Sequence, residues 1–151
     1  MSEDLFSEIE ENLTQKNMKK GILYADGGSR GNPGKSAGGA VLYDEKKKEI
    51  AYGGVYCGVQ TNNFAEYAGM LHGLQLAVQN GITDLEVILD SKLIVEQMNG
   101  NFKVKHPNLK PSFEKAKILC EKFDTVRFRH VLRHKNTVAD GIANSVMDQH
   151  E

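Results

Sequence analysis

The chain has 151 residues, a net charge of −1 and a hydrophobic fraction of 40%. These values predict one domain with a single two-layer core and exclude two separately cored domains. No run approaches the roughly 18 apolar residues of a membrane-spanning helix, so we expect no membrane partner. The acidic N-terminus lacks an apolar signal region, which favours a cytoplasmic protein over a secreted one.

Charge and cysteine placement narrow the chemistry further. Residues 101–135 contain ten Lys or Arg and only three acidic residues. Such a basic segment suggests a polyanionic partner, although a solvated helix face would explain the same charges. Cys57 and Cys120 lie among apolar residues and are predicted to be small core residues in a reducing compartment. Neither has a nearby second ligand, so a structural zinc site is not supported.

The N-terminal residues and the first strands come next. In residues 3–16, Leu5, Ile9 and Leu13 recur every four positions and form one apolar helical stripe, which could dock on the body or on another subunit. We therefore expect residues 1–18 to be a helical arm or tail and residues 19–151 to be the folded domain. A strand over residues 21–25 leads into Asp26, and turn-forming residues follow to position 34. Strands over residues 37–43 and 50–59 are joined by a charged hairpin.

The second half of the chain alternates helices and strands. Thr61, Asn62 and Asn63 offer N-caps to a helix that ends at residues 80–81, where a glycine follows an asparagine. The apolar run at residues 85–89 is typical of a buried parallel strand and ends at Asp90. Ser91 is predicted to cap a helix over residues 92–98.

The remaining elements complete the predicted fold. A helix over residues 108–122 has an apolar face, and a strand follows with Val126, Phe128 and His130 on its buried side. Thr137 is predicted to cap the last helix. The order βββ-α-β-α-α-β-α predicts an α/β fold, with three antiparallel hairpin-linked strands and two parallel strands in one five-stranded mixed sheet. Helices are expected on both faces of this sheet.

Four acidic residues are expected to converge in this fold. Asp26 and Asp90 each follow a strand, and if these strands are adjacent and parallel, both carboxylates emerge at one sheet edge, where open α/β sheets bind ligands. Glu66 and Asp140 are each predicted in the first turn of a helix that could reach this edge. Taken singly, each acid could equally be a solvated charge or a helix-dipole partner.

Clustered acids at this edge point to metal chemistry. Four carboxylates would repel one another strongly unless cations lie between them. Oxygen-only ligands suit Mg²⁺ or Mn²⁺ better than zinc. Two such ions about 4 Å apart activate water and stabilise a leaving oxygen in phosphoryl transfer. The sequence therefore predicts a two-metal site held by the four acids.

The segments around these acids resemble the type 1 ribonuclease H family over residues 20–148, and most closely its short-loop bacterial and archaeal members. The matching blocks are residues 24–34 (YADGGSRGNPG), 61–67 (TNNFAEY), 89–92 (LDSK), 99–105 (NGNFKVK) and 138–144 (VADGIAN). The resemblance implies a ribonuclease H fold over residues 19–151 and a monomeric endonuclease dependent on two Mg²⁺ ions, with Mn²⁺ as a substitute. Its activity would be hydrolysis of the RNA strand of RNA/DNA hybrids, leaving 5′-phosphates, with Asp26, Glu66, Asp90 and Asp140 as metal ligands.

Contacts with nucleic acid are implied by position in the same family. Gly27, Gly28 and Ser29 would bring backbone close to the minor groove of the hybrid, where 2′-hydroxyls are exposed. Asn32 and Asn63 would contact sugars or base edges. A phosphate of the DNA strand is assigned to two further residues, Thr61 and Asn62. Helix capping explains that last pair equally well, and residues 31–34 could be only a turn.

Two departures from the common family pattern affect these expectations. Many members place a histidine in the loop before the last aspartate, where it assists product release. Here Arg133 lies seven residues before Asp140 and is favoured for this role over His134. The chain also lacks tryptophan and a long basic protrusion. Candidates to hold the DNA strand are therefore Phe102, Lys103, Lys105 and Lys110, with Ser91 as a further contact, although Phe102 could be a core residue.

Other functions remain open. A non-catalytic nucleic-acid-binding module would be expected to lack one or more of the four acids, which are all present here. A nuclease with broader specificity, including double-stranded RNA, is compatible with the short loop. A reverse transcriptase fragment is less favoured, because no polymerase portion accompanies these residues.

Overall fold

Five strands form one mixed sheet in the computed structural model, which describes residues 5–9 and 18–150. The strand order is β3-β2-β1-β4-β5. The strands β1 (Lys20–Arg30), β2 (Gly34–Asp44) and β3 (Glu49–Gln60) pair antiparallel. Two shorter strands, β4 (Asp84–Leu89) and β5 (Thr125–His130), extend the sheet in parallel. The predicted five-stranded mixed sheet is confirmed.

Helices cover both faces of this sheet, as predicted. The α-helices are α1 (Asn62–Gln79), α2 (Lys92–Met98), α3 (Lys110–Cys120) and α4 (Thr137–Gln149). A side chain at Gly38 of β2 would collide with the backbone of Gly69 in α1. A side chain at the next residue, Gly39, would collide with Ala139 in α4. Because neighbouring strand residues point to opposite faces, α1 and α4 cover opposite sides of the sheet.

The longest helix, α1, begins and ends where its sequence predicts. The Thr61 hydroxyl accepts a hydrogen bond of 3.2 Å from the amide of Phe64 and so caps the helix N-terminus. Asn80 is the C-cap, and Gly81 follows with a φ of 73°, a conformation that glycine adopts without strain. The buried residues of α1 include Met70 and Leu74, which belong to the main core together with side chains of β4. This packing fixes α1 against the centre of the sheet.

Several boundaries differ from the predictions. β1 does not end before Asp26 but continues to Arg30, because β2 pairs with it throughout this stretch. α3 begins at Lys110 and ends at Cys120, so it is shorter at both ends than predicted. His130, predicted on the buried side of β5, is exposed at the end of this edge strand. The sequence pattern therefore predicted the order of the helices and strands correctly, but not all of their first and last residues.

The last helix begins differently from the prediction. Thr137 is not its cap but its first residue, and Asn136 occupies the N-cap position. A short 3₁₀ turn, Arg133–Lys135, directly precedes it. Asn136 is buried, although asparagine is usually an exposed residue.

The cysteines and the N-terminal residues complete the description. Cys57 and Cys120 are free thiols and half-buried, although both were predicted to be core residues. Residues 5–9 are helical, and their apolar side chains are exposed. Leu13, the third member of the predicted stripe, lies outside the described residues, so the arm stays a prediction. Over the parts of the chain that the structure describes, no helix is both long and apolar enough to cross a membrane.

Candidate active site

Three carboxylates meet at one edge of the sheet. Oxygen atoms of Asp26, Glu66 and Asp90 all lie within 4.8 Å of one another. The parallel pairing between β1 and β4 ends at Tyr24 and Ile88, so Asp26 and Asp90 both lie two residues beyond the last pair. The register of two adjacent parallel strands therefore brings these two acids together.

The third acid arrives from α1 because this helix lies very close to β1. A side chain at Gly27 would collide with the backbone of Ala65, so glycine is required at this contact. Glu66 follows Ala65 and reaches the sheet edge beside Asp26. It was predicted in the first turn of α1, but no acid lies in that turn, since the helix begins at Asn62. Glu66 therefore projects from the second turn.

Asp140 lines the same cleft without joining the tight cluster. It lies in the first turn of α4, as predicted. All four acids line a cleft of about 350 Å³, together with Arg30. Asp140 is not among the three acids whose oxygens approach within 4.8 Å. The cleft thus has a compact three-carboxylate centre and a fourth acid at its wall.

Burial and mutual repulsion raise the pKa values of this centre. Burial, followed by the charge of Asp90 and then that of Glu66, raises the pKa of Asp26 to about 8, although the Gly27 amide donates a 2.8 Å hydrogen bond to it. Burial also raises the pKa of Glu66 to about 7, against a hydrogen bond with Ser91. The pKa of Asp90 is raised as well, chiefly by burial. Without a cation, this centre therefore retains protons that ordinary carboxyl groups would release.

The centre is suited to divalent metal ions. The Oε2 atom of Glu66 is buried and has no hydrogen-bond partner among the described residues. A buried carboxylate oxygen without a partner is costly unless a cation binds it. The available donors are all carboxylate oxygens, which Mg²⁺ and Mn²⁺ prefer. The residues present therefore fit a hard divalent cation.

The loop before Asp140 contains the two candidates for assisting product release, Arg133 and His134, and only Arg133 lines the cleft. Arg133 lines the cleft together with the four acids. Its positive charge lowers the pKa values of both Glu66 and Asp90, although the burial of these two acids outweighs it. His134 is exposed and is not among the residues lining the cleft. The geometry thus brings Arg133, and not His134, to the carboxylates.

Several residues predicted to contact nucleic acid, in the minor groove or at a DNA phosphate, form one rim of the cleft. Gly28, Ser29 and Asn62 all line it beside Asp26. The Asn62 side-chain oxygen accepts hydrogen bonds of 2.8 Å from the Ser29 amide and 3.0 Å from the Ser29 hydroxyl. Asn32 in turn accepts a 3.0 Å hydrogen bond from the Asn62 amide. These residues hold the β1–β2 turn against the start of α1. A side chain at Gly28 would be in ordinary van der Waals contact with the Asn62 side-chain oxygen, at 3.8 Å.

The remaining predicted contacts are more scattered. Asn63 is half-buried in the first turn of α1, next to the Thr61 cap. Ser91 caps α2 through the Ile94 amide, as predicted, and lies beside Glu66. Phe102, which follows α2, is 48% exposed and therefore lies outside the core. The exposed basic residues nearby are Lys103, Lys105 and Lys110. Contact of all these residues with nucleic acid stays a prediction.

Two residues of the site were missed at the sequence level. Arg30 lines the cleft and forms a 2.6 Å ion pair with Asp148 of α4. Asn136 is 1% exposed and donates a 2.8 Å hydrogen bond to the carbonyl of Ala25, the residue before Asp26. The only signal for Asn136 was its position before a helix, where it resembled an ordinary cap. Arg30 lies within a run of turn-forming residues, and nothing local distinguishes it.

Comparisons with known proteins agree with this geometry. The family model described as reverse transcriptase-like matches residues 24–146. The bifunctional protein Rv2228c of Mycobacterium tuberculosis is 45% identical over 130 residues, which is 85% of this chain. The chain spans only 36% of the length of that relative.

Solved structures give the same picture at the level of the fold. The N-terminal RNase H domain of Rv2228c superposes with a TM-score of 0.85 and 44% identity, over 87% of this chain and 95% of that chain. RNase H1 from Halobacterium salinarum gives a TM-score of 0.83 and 37% identity over 86% and 98%. LC11-RNase H1, solved in complex with an RNA/DNA hybrid, gives 0.81 and 38% over 85% and 97%. Each of the three superpositions covers at least 85% of this chain and at least 95% of the related chain.

Proposed function

Because the chain belongs to the ribonuclease H family of reverse transcriptase-like domains, we propose that it hydrolyses the RNA strand of RNA/DNA hybrids. The observation that carries this proposal is the cleft in which Asp26, Glu66, Asp90 and Asp140 meet beside Arg133. We propose that it acts as a monomer, since the four acids of the proposed mechanism belong to one cleft of one chain. The related LC11 enzyme was solved with an RNA/DNA hybrid, which supports the same substrate here.

The four acids would hold two divalent cations, Mg²⁺ or its substitute Mn²⁺. Asp26, Glu66 and Asp90 are close enough together to bind one cation jointly. Asp140 of α4 would help to bind the second cation. When bound, the ions supply Lewis-acid polarisation of the scissile phosphate and charge neutralisation at the attacking and leaving oxygens. Cation binding would also lower the raised pKa values of Asp26 and Glu66, because the ionised carboxylates gain positive partners.

The two arginines of the cleft, Arg30 and Arg133, would bind phosphate oxygens of the nucleic acid. Arg133 is exposed on the 3₁₀ turn and can contact the phosphate that leaves the site, since a guanidinium binds phosphate oxygens in a planar fork. Arg30 is held at the cleft by Asp148, so its guanidinium is oriented before any substrate binds.

Recognition of the hybrid would use the rim formed by Gly28, Ser29 and Asn62. Gly28 presents bare backbone, and a side chain there would meet only the Asn62 side-chain oxygen, at 3.8 Å, so a sugar could approach closely. The wide minor groove of an A-like duplex displays 2′-hydroxyls, and short polar groups can read them. A DNA duplex offers no 2′-hydroxyl, so this rim favours a strand of RNA. Phe102 and the exposed lysines after α2 would hold the DNA strand.

The test is a matched cleavage assay. Labelled RNA/DNA, RNA/RNA and DNA/DNA duplexes of one sequence are incubated with the protein and Mg²⁺ or Mn²⁺, with Asp90→Asn as the control for contaminating nucleases. We expect cleavage of the RNA strand of the hybrid, with 5′-phosphates on the products, and no cleavage of DNA/DNA. Comparable cleavage of RNA/RNA would replace this proposal with a nuclease of broader duplex specificity. Binding of the hybrid without cleavage would indicate a non-catalytic module.

A further inference from the structure

Asn136 is buried at the junction of the elements that carry the four acids. Its side chain is one of the largest fully buried ones in the described chain, although asparagine is usually exposed. It occupies the N-cap position of α4, yet it makes no capping hydrogen bond to that helix. Thr61 and Ser91, the residues before α1 and α2, do cap their helices. The Asn136 side chain therefore does not accept a hydrogen bond from the first amides of its helix, as an N-cap side chain usually does.

The side chain is instead directed at the strand that carries Asp26. Its Nδ2 atom donates a 2.8 Å hydrogen bond to the carbonyl oxygen of Ala25. The last parallel pair between β1 and β4 is Tyr24 with Ile88, so Ala25 lies just beyond the end of this pairing. The Asn136 amide thus takes the place of a further strand partner at the point where β1 and β4 separate toward Asp26 and Asp90.

The backbone of Asn136 joins the same site to the loop and to α4. Its amide donates a 3.0 Å hydrogen bond to the carbonyl of Arg133, and its carbonyl accepts a 3.2 Å bond from the amide of Asp140. Its side chain also lies beside the Asp90 carboxylate. One residue is therefore linked to the positions of Asp26, Asp90, Asp140 and Arg133.

We propose that Asn136 is a positioning residue, which holds Asp26 and Asp90 at the spacing required for cation binding and fixes the start of α4 relative to them. This inference rests on the proposed metal-dependent nuclease function. Asn136 does not need to touch substrate, because it acts through the Ala25 carbonyl and the Asp90 carboxylate. Residues that orient metal ligands in this way commonly contribute about 10- to 100-fold to metal affinity or activity.

The experiment separates positioning from general support of the fold. Asn136→Ala is compared with Gln97→Ala. Gln97 carries another buried amide, which accepts a 2.6 Å hydrogen bond from the Tyr67 hydroxyl and is not among the residues lining the cleft. Mn²⁺ binding is measured by calorimetry without substrate, and kcat, KM and Tm are measured separately. For Asn136→Ala we expect an Mn²⁺ Kd at least about tenfold higher and a kcat about tenfold lower, with KM within about twofold. Gln97→Ala should lower Tm but leave the Mn²⁺ Kd and kcat unchanged.

A second variant guards against simple misfolding. Asn136→Leu fills the same buried space without an amide and should show the same loss of Mn²⁺ affinity as Asn136→Ala. An unchanged Kd in either folded variant, or failure of both variants to fold, would overturn the positioning role. If the unmodified protein neither binds Mn²⁺ nor cuts the hybrid, the proposed function fails instead. The two failures are therefore distinguishable.

Discussion

At the scale of single residues, burial and the mutual repulsion of Asp26, Glu66 and Asp90 both disfavour the ionised form of the acidic centre. We predict that Asp90→Asn abolishes cleavage and stabilises the metal-free protein. The substitution removes one negative charge from beside Asp26, and each unit of pKa relief corresponds to about 1.4 kcal/mol. Thermal unfolding in EDTA and hybrid cleavage in Mg²⁺ measure the two effects. Asp124→Asn, at an exposed acid outside the site, should change neither, and cleavage by Asp90→Asn at the rate of the unmodified protein would contradict the metal assignment.

The same acids predict how stability depends on pH. Burial raises the pKa values of Asp26 to about 8 and Glu66 to about 7 in the folded state. In the unfolded chain the same two carboxyl groups lose their protons at about pH 4. Between these limits the folded state binds more protons than the unfolded state, so the free energy of unfolding falls as pH rises.

We therefore expect the Tm of the metal-free protein to fall between about pH 5 and about pH 8, and Asp26→Asn to reduce this dependence. Thermal scans in EDTA across the window provide the measurement, and excess Mn²⁺ at the upper end should restore the Tm. A Tm that rises steadily with pH in EDTA would be incompatible with the raised pKa values.

Arg133 and His134 make a matched pair of neighbours. Arg133 lines the cleft and His134 does not, so we predict that Arg133→Ala lowers kcat by more than about tenfold with KM nearly unchanged. His134→Ala should cost less than about threefold, since its ring lies away from the carboxylates. Steady-state kinetics at saturating Mg²⁺ compare the two. A larger defect in His134→Ala would reverse the assignment.

At the scale of the elements, the close packing of α1 on β1 determines whether Glu66 reaches the site. We predict that Gly27→Ala destabilises the protein by about 3 kcal/mol or more, since the new methyl group would collide with the Ala65 backbone and overpacking of this kind is costly. Gly28→Ala is the control, because its nearest neighbour would be the Asn62 side-chain oxygen at 3.8 Å. Chemical denaturation measures both.

The two variants should also separate packing from substrate binding. Gly28→Ala should leave stability nearly unchanged but raise KM for the hybrid, since Gly28 lies on the exposed rim of the cleft. Equal stability of Gly27→Ala and the unmodified protein would mean that α1 tolerates displacement. The proposed requirement for glycine at this helix–strand contact would then be wrong.

Local sequence signals predicted the elements that depend on local interactions. The Thr61 and Ser91 caps and the Gly81 terminus involve hydrogen bonds or conformations within a few residues, and all three agree with the structure. The true end of β1 depends instead on pairing with β2, which overrides the turn-forming residues after Asp26. The start of α4 was misplaced because Asn136 bonds to a distant strand.

At the scale of the whole molecule, convergence of the acids was predictable from topology, but their support was not. Adjacent parallel strands necessarily bring Asp26 and Asp90 to one edge. The contact of Asn136 with Ala25 spans 111 positions, and that of Arg30 with Asp148 spans 118. No periodicity or spacing in a single sequence encodes such pairs. The sequence therefore predicted the acidic cluster, whereas the residues that bond around it required the three-dimensional structure.

The N-terminal residues provide the last prediction, which concerns the extent of the folded unit. The body begins at Lys19, whose amide donates a 2.8 Å hydrogen bond to the Thr83 hydroxyl and whose carbonyl accepts a 2.9 Å bond from the Thr83 amide. Residues 5–9 are helical but exposed. We predict that deletion of residues 1–17 changes the free energy of unfolding by less than about 1 kcal/mol and leaves hybrid cleavage within about twofold.

Deletion of residues 1–21 is the matched control for that truncation. It removes Lys20 and Gly21, which pair with Asp84 and Leu85 of β4, and should therefore lower stability by several kcal/mol, on the order of 3. Chemical denaturation, light scattering and cleavage kinetics are compared for the two truncated proteins. If the shorter deletion lost as much stability as the longer one, or changed the oligomeric state, the apolar side chains of residues 5–9 would have to dock on the body or on a second copy. The folded unit would then begin before Lys19.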